Sequence, residues 1–183
     1  MIYYTSDTHL GHENVIKHCN RPFKDAAEMD RTLISNWNSR VTDNDDVYVL
    51  GDMMFRNKTP AEEYLRKLRG KKHLIIGNHD RSWMPKCDYE NYFESVDNLL
   101  YIVDGGRQVV LCHYPMMDWP HKRSGGYMVF GHIHNNTVDE YWPLIRRSEV
   151  MFNAGVDVNN YMPVTFEEMV INNKLFKEGI AQR

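Results

Sequence analysis

The sequence predicts an α/β protein, with either one mixed sheet or two sheets packed face to face. Three observations lead there. The first half alternates short β-prone runs with helix-patterned stretches. The second half is dominated by strand signals. No Pro-, Gly- or Ser-rich linker separates the halves, so residues 1–183 are expected to form a single domain. Ile2 to Thr5 is the first β-prone run. A helix is expected from about Asp25 to Arg40, opened by Asp25 with Glu28 three residues on, a capping-box spacing. Met29, Leu33 and Trp37, with Ile34 beside them, share one of its faces. Val47 to Leu50 is the second strand. Thr59-Pro60-Ala61-Glu62 has the residues of a helix start, Ala61, Tyr64, Leu65 and Leu68 its apolar face, and Gly70 its end. His73 to Ile76 is the third strand. Strand, helix, strand, helix, strand implies parallel pairing. Leu99 to Val103 and Gln108 to Cys112 flank Asp104-Gly105-Gly106-Arg107, a hairpin signal. Tyr127 to Phe130 and Val150 to Asn153 are further strands, and Thr165 caps a last helix reaching about Phe176. Residues 114–126, with two prolines, Trp119 and Gly125-Gly126, form a loop of functional length.

Composition narrows the function. Lys plus Arg is 22 and Asp plus Glu 25, a net charge of -3. This mild acidity does not favour bulk nucleic-acid binding, though a local basic patch stays open. The run Arg66, Lys67, Arg69, Lys71 and Lys72 is read as complementing a helix C-terminus. No apolar run approaches the roughly 20 residues of a membrane span. Residues 1–7 lack a basic region and an apolar stretch of signal-peptide length, and Cys19, Cys87 and Cys112 are too few and too scattered for a disulfide framework. A cytoplasmic location is expected. The nine histidines are the unusual feature.

Five expected strands end alike. The first runs into Asp7-Thr8-His9, the second into Gly51-Asp52, and the third into Gly77-Asn78-His79-Asp80. The strand ending at Cys112 leads to His113, and Phe130 leads to Gly131-His132-Ile133-His134. Ligands of open α/β sheets bind outside the carboxyl ends of the strands, so strands lying side by side would bring these groups into one crevice. Imidazole with carboxylate suits manganese, iron, nickel or zinc. Seven credible ligands are too many for one tetrahedral ion and suit two ions sharing a carboxylate. Two aspartates cannot neutralise two divalent cations, which leaves room for an anionic guest such as phosphate. A metal pair roughly 3.5–4 Å apart suits in-line displacement at phosphorus.

The ordered blocks D-x-H, G-D, G-N-H-D, H and G-H-x-H resemble those of the calcineurin-like metallophosphoesterases. The likeness runs from Asp7 to His134, and Asn153-Ala154-Gly155 falls where that family often has a turn. Residues 5–12 and Arg21-Pro22-Phe23 resemble a compact bacterial or phage branch. The resemblance implies a four-layer αββα sandwich, two mixed β-sheets flanked by helices. It implies two divalent metal ions, manganese foremost, with iron, nickel or zinc as alternatives. Asp7, His9 and His134 would hold one ion, Asn78, His113 and His132 the other, and Asp52 would bridge both. Water between the ions would attack phosphorus. His79 would protonate the leaving oxygen, and Asp80 would accept a hydrogen bond from His79 and set its tautomer. Many relatives carry Gly-Asp-x-x-Asp at the second block. Here the last position is Phe55.

The substrate is expected to be small and phosphorylated. A phosphodiester, with nucleotides as a candidate class, is preferred over a phosphomonoester or phosphoprotein, a nucleic-acid strand, or a scaffold that has lost catalysis. Candidate substrate contacts are His12 and Asn14, which equally suit the start of a short helix at 13–18, with Arg21 and Arg81, each of which could equally hold phosphate or only brace its loop. Tyr114, His121 and Arg123 in the 114–126 loop complete the set, while Trp119 reads as packing. His18 and His73 read as structural.

Overall fold

In a computed structural model of the chain, residues 1–180 are described. Eight strands and five α-helices lie among them. Strands β1 (Ile2–Thr5), β2 (Asp46–Val49), β3 (Lys71–Ile75) and β4 (Ser95–Asp97) form one sheet in that order, every pair parallel. Strands β5 (Leu99–Asp104), β6 (Arg107–Cys112), β7 (Tyr127–Phe130) and β8 (Met151–Asn153) form the second. There β5 pairs antiparallel with β6, and β6, β7 and β8 run parallel. The hairpin register sets Asp104 opposite Arg107 across Gly105-Gly106, both at positive φ, as a two-residue turn matched to strand twist demands.

Strand alternation sorts the side chains into three apolar layers. Tyr3, Val47, Val49 and Leu74 face helices α2 (Ala26–Arg40) and α3 (Ala61–Leu65), meeting Met29, Leu33, Trp37 and Leu65. Tyr4, Leu50, Ile75, Val109, Leu111, Val129 and Phe152 fill the space between the sheets. Val110, Met128, Phe130 and Met151 point outward and are covered by Trp119, Ile133 and Ile145, the last on α4 (Trp142–Arg147). A period of two feeding two cores from one strand is what a sheet buried on both faces requires. Helix α5 (Phe166–Glu178) sends Phe166 and Met169 into the inter-sheet layer. This is two four-stranded sheets flanked by helices.

The sheets join along β1 and β8. Ser6 bridges Gly155, and Tyr4 and Val164 exchange backbone hydrogen bonds of 2.8 and 3.0 Å. The five strand ends therefore do not belong to a single sheet. They converge because the two sheets, packed across the inter-sheet layer, are joined along β1 and β8 by a parallel bridge that sets their carboxyl ends on the same side.

Local chemistry decides the helix ends. Asp25 accepts from Glu28 N–H at 2.8 Å, while the Glu28 carboxylate turns back to Lys24 N–H, so the expected box is only half closed. Thr165 and Glu168 form the full reciprocal box on α5. Helix α3 is shorter than its apolar pattern. Pro60, not Thr59, stands at its N-cap, and beyond Leu65 the chain tightens into turns with Lys67 N–H on Tyr64 O and Leu68 N–H on Leu65 O. Helix α1 (Glu13–His18) exists, with His12 at its N-cap making no side-chain capping bond. Among the described residues, no helix is long and apolar enough to cross a membrane.

Candidate metal centre and phosphoester site

Each loop that leaves a strand end is tied to its neighbour by backbone bonds. Asp7 N–H donates to Gly51 O at 3.0 Å, His9 N–H to Asp52 O at 3.0 Å, and Gly131 N–H to His113 O at 2.9 Å. Asp7, His9, Asp52, His132 and His134 all sit at positive φ, between 49° and 68°. That conformation costs a non-glycine residue about 1–3 kcal/mol, and such strain gathers where side chains are aimed for a purpose. Glycines make the close approach possible. A Cβ on Gly131 would lie 1.9 Å from Ser6 Oγ and 2.6 Å from Asp7 Oδ2, and one on Gly77 would lie 2.3 Å from Asp52 Oδ1.

The two aspartates are built alike. Asp7 Oδ2 accepts His132 N–H at 2.9 Å, and Asp52 Oδ1 accepts His79 N–H at 2.8 Å. One oxygen of each is thus anchored and the other is turned inward. Asp52 Oδ2 faces His113 Nε2 at 3.6 Å, His9 Nε2 at 3.7 Å and His79 Nε2 at 3.9 Å. His134 Nε2 lies 3.9 Å from Asp7 Oδ1. Asn78 Oδ1 is 3.0 Å from both His113 Nε2 and His132 Nδ1. Ligand atoms of Asp7, His9 and His134 lie within 4.8 Å of one another, as do those of Asp7, Asp52 and His113. All seven expected ligands reach one pocket.

This pocket fits cations. Asp7 Oδ1 and both ring nitrogens of His9 are buried without a hydrogen-bond partner among the described residues. Orphaned buried polar atoms are expensive unless something satisfies them. Burial, then the neighbouring Asp7 carboxylate, pushes Asp52 up to about 7. Burial also holds His9 well below the ordinary imidazole value. At His134 burial opposes the charged form, but Asp7 and the bond to Asp157 outweigh it and hold the ring up at about 11. Two carboxylates forced together in a dry pocket, beside imidazoles with unmatched nitrogens, suit divalent ions.

The rings are held from behind. His113 Nδ1 meets Leu50 O at 2.7 Å, leaving Nε2 for the pocket. His134 Nδ1 meets Asp157 Oδ2 at 2.8 Å. Fixing one imidazole nitrogen aims the other, the usual device around metal sites. Asp157 was not anticipated. It is a lone acid after the Asn153-Ala154-Gly155 turn, and only the fold brings it behind His134. Asn153 adds to the brace by donating to His134 O at 2.8 Å, and Asn173 of α5 pins Asn153 in turn.

One expected role is decided and another corrected. Of its two readings, Arg21 takes the bracing one and does not face substrate. Its guanidinium is buried, pairs with both Asp157 oxygens at 2.8 and 2.9 Å, and donates to Asp7 O and Thr8 O. It is the strut of the first ligand loop. Asp80 does not orient the His79 ring. Its two oxygens are filled by Gly77, Asp52 and Met53 N–H groups and by Trp83 Nε1–H, at 2.8–3.0 Å. It gathers the second and third loops instead.

A cleft of about 560 Å³ opens from the pocket past Asp52, Asn78, His79 and His132 toward residues 133–141. His18 lines it, contrary to its structural reading, and so does Tyr141. Tyr114 is exposed at the pocket mouth, edge-on to His132 with centroids 4.6 Å apart. His12 lies beside His9 at 5.3 Å and edge-on to Phe55 at 4.9 Å. The remaining expected contacts do not line the cleft. Asn14 is exposed on α1, Arg81 reaches Asn98, His121 stacks on Tyr101 at 5.3 Å, and Arg123 is exposed. The 114–126 loop folds away because Trp119 buries its ring in the outer core and donates to Gly126 O.

The model of the calcineurin-like phosphoesterases matches residues 1–152. The chain belongs to that family. A curated uncharacterized protein of the archaeon Methanocaldococcus jannaschii is 38% identical over 184 residues, covering 100% of this chain and 94% of its own. The Gene 66 protein of Mycobacterium phage L5 is 29% identical, covering 73% of this chain and 77% of its own. Among solved structures, an Aquifex aeolicus protein of unknown function superposes with a TM-score of 0.71 at 28% identity, over 92% of this chain and 96% of that one. Its likeness extends over both sheets. As a metallophosphoesterase, the chain is a phosphoester hydrolase of a family that uses divalent metals.

Proposed function

We propose that this phosphoesterase hydrolyses a phosphodiester, with nucleotides the first class to test, at two divalent cations, manganese foremost. The observation that carries the reading is the inward turn of one oxygen from each of Asp7 and Asp52 toward the ring nitrogens of His9, His113 and His134, with Asp7 Oδ1 and both His9 nitrogens buried and without a partner among the described residues. Asp7, His9 and His134 would hold one ion, Asn78, His113 and His132 the other, and Asp52 both. Such a pair, when bound, acidifies water and takes up charge on phosphoryl oxygens.

The protein's own groups do the rest. Anchoring of Asp7 and Asp52 by backbone N–H groups keeps their inward oxygens from swinging. The cleft excludes bulk water from one side of the substrate. His79 stands at its wall, half-buried, with Nε2 toward the pocket, placed to give a proton to the departing oxygen. Charge favours a diester. After the two aspartates, a diester monoanion leaves one positive charge for an anionic nucleophile, whereas a monoester dianion leaves none. No lysine or arginine is among the described residues lining the cleft, so it offers neither a second phosphate nor a nucleic-acid backbone a cationic partner. The three cysteines are free, which fits a reducing cytoplasm as the working compartment.

Turnover of bis-p-nitrophenyl phosphate and p-nitrophenyl phosphate, with manganese added, tests the reading. The diester is expected to be the better substrate by kcat/KM. Preference for the monoester overturns the diester reading.

A further inference from the structure

We propose that Phe55 is the positioning residue for His79, an aromatic wall doing the work of a carboxylate partner. The inference rests on the proposed role of His79 as proton donor and adds what aims it. His79 needs an explanation. Its ring makes no hydrogen bond to protein among the described residues, and the adjacent carboxylate of Asp80 is fully occupied by four N–H donors. Only its backbone is fixed, through the bond from His79 N–H to Asp52 Oδ1. A half-exposed imidazole with two free nitrogens would otherwise turn about its side-chain torsions.

Packing supplies the constraint. The Phe55 and His79 rings lie with centroids 3.9 Å apart and planes inclined at 38°. His9 closes the other approach, edge-on at 5.4 Å. Phe55 is itself held. Its edge contact with the His12 ring is at 4.9 Å and 90°, and the Arg56 guanidinium lies 5.1 Å from its centroid. Arg56, directly after Phe55, takes a positive φ of 50°. The arrangement fixes the plane of His79 and leaves both nitrogens without a hydrogen bond to the described residues, Nε2 lying 3.9 Å from Asp52 Oδ2. A ring held by its face is aimed without a bond to either nitrogen, where His113 and His134 are aimed by a bond to Nδ1. Phe55 thus touches the proton donor and not the reacting atoms.

Phe55→Leu keeps apolar volume and removes the ring, so it tests aim without emptying the loop, and Phe55→Tyr restores the ring. Two readouts apply. In the metal-free protein, the carbon-bound ring protons of His79 are expected to show a ring-current shift that disappears in Phe55→Leu and returns in Phe55→Tyr. In the manganese-loaded enzyme, a series of substituted diphenyl phosphates of rising leaving-group basicity reports the proton donor. The most basic leaving group should lose about 10- to 100-fold more turnover than the least basic in Phe55→Leu, as expected for a misaimed acid. Tyr should restore the wild-type slope. A His79 resonance unmoved by Phe55→Leu overturns the proposal whatever the activity. An equal loss on every ester also overturns it, since that reports general damage to the centre. If the wild-type enzyme hydrolyses none of the esters, the diesterase reading fails, and the resonance shift alone decides the placement of His79.

Discussion

Asp157→Ala probes the support behind the metal centre. Asp157 and Arg21 are fully buried, and two hydrogen bonds of 2.8 and 2.9 Å join them. Removing the acid leaves Arg21 with Asp7 O at 2.7 Å and Thr8 O at 3.0 Å, but no counter-charge. Stranding one member of a buried pair costs about 3–5 kcal/mol. At about 2–4 °C per kcal/mol for a chain of this size, Tm should fall by about 6–20 °C. His134 also loses the acceptor at its Nδ1, and loss of such a partner lowers metal affinity about 10- to 100-fold. Thermal unfolding without metal and a manganese titration of the folded variant measure the two effects separately. Adding Arg21→Met should recover part of the stability, because the orphaned charge goes with it, but not the metal affinity. A Tm within 3 °C of wild type would show that Asp157 does not carry this brace. An unchanged titration would show that His134 is not aimed through it.

Asp52→Asn should lose metal occupancy and activity together, checked by elemental analysis alongside turnover. His79→Ala should keep its metal and slow turnover by about 10²–10⁴-fold, the range for loss of a general acid. Loss of metal in that variant would contradict the division of roles. Metal binding should tighten and release protons as pH rises. In the metal-free protein Asp52 is raised to about 7 and His134 to about 11, so their protons must leave for the ligands to coordinate. The sign for stability follows. A raised folded pKa favours the fold below the group's ordinary value and is lost as pH climbs through the raised one, so metal-free protein should weaken from about pH 4 to 7 as Asp52 ionises and further from about pH 6.5 to 11 as His134 does. Added manganese should then raise Tm more at pH 8.5 than at pH 6, and calorimetry in two buffers of different ionisation heat counts the protons.

The sequence made the site more legible than its supports. Ligand residues sit directly after strands, where β-patterning locates them, and a glycine before three of the clusters marks the tight approach now seen at Gly77 and Gly131. The strand pattern alone left one sheet or two open, and only the family resemblance implied the two sheets found. Parallel strands look alike in one sheet or two, and what divides them is that β5 pairs with β6 and not with β4, leaving Ser6 and Gly155 as the bridge between the sheets. Strand β4 is Ser95-Val96-Asp97, too short and polar to carry a pattern, and α4 spans only six residues. That Arg21 braces its loop was one of two readings the sequence left open, but its pairing with Asp157 was not legible, for a different reason. The two residues are 136 positions apart, and a buried ion pair between distant residues leaves no local signature. Asp80 misled because adjacency to His79 suggested a contact, whereas a one-turn 3₁₀ segment points its carboxylate at the backbone of the neighbouring loop.

A crystal grown with manganese and examined by anomalous scattering tests the central claim most directly. Two peaks about 3.5–4 Å apart, with an Asp52 oxygen between them, are the result this account predicts. A single peak, or two peaks that do not share Asp52, would contradict it.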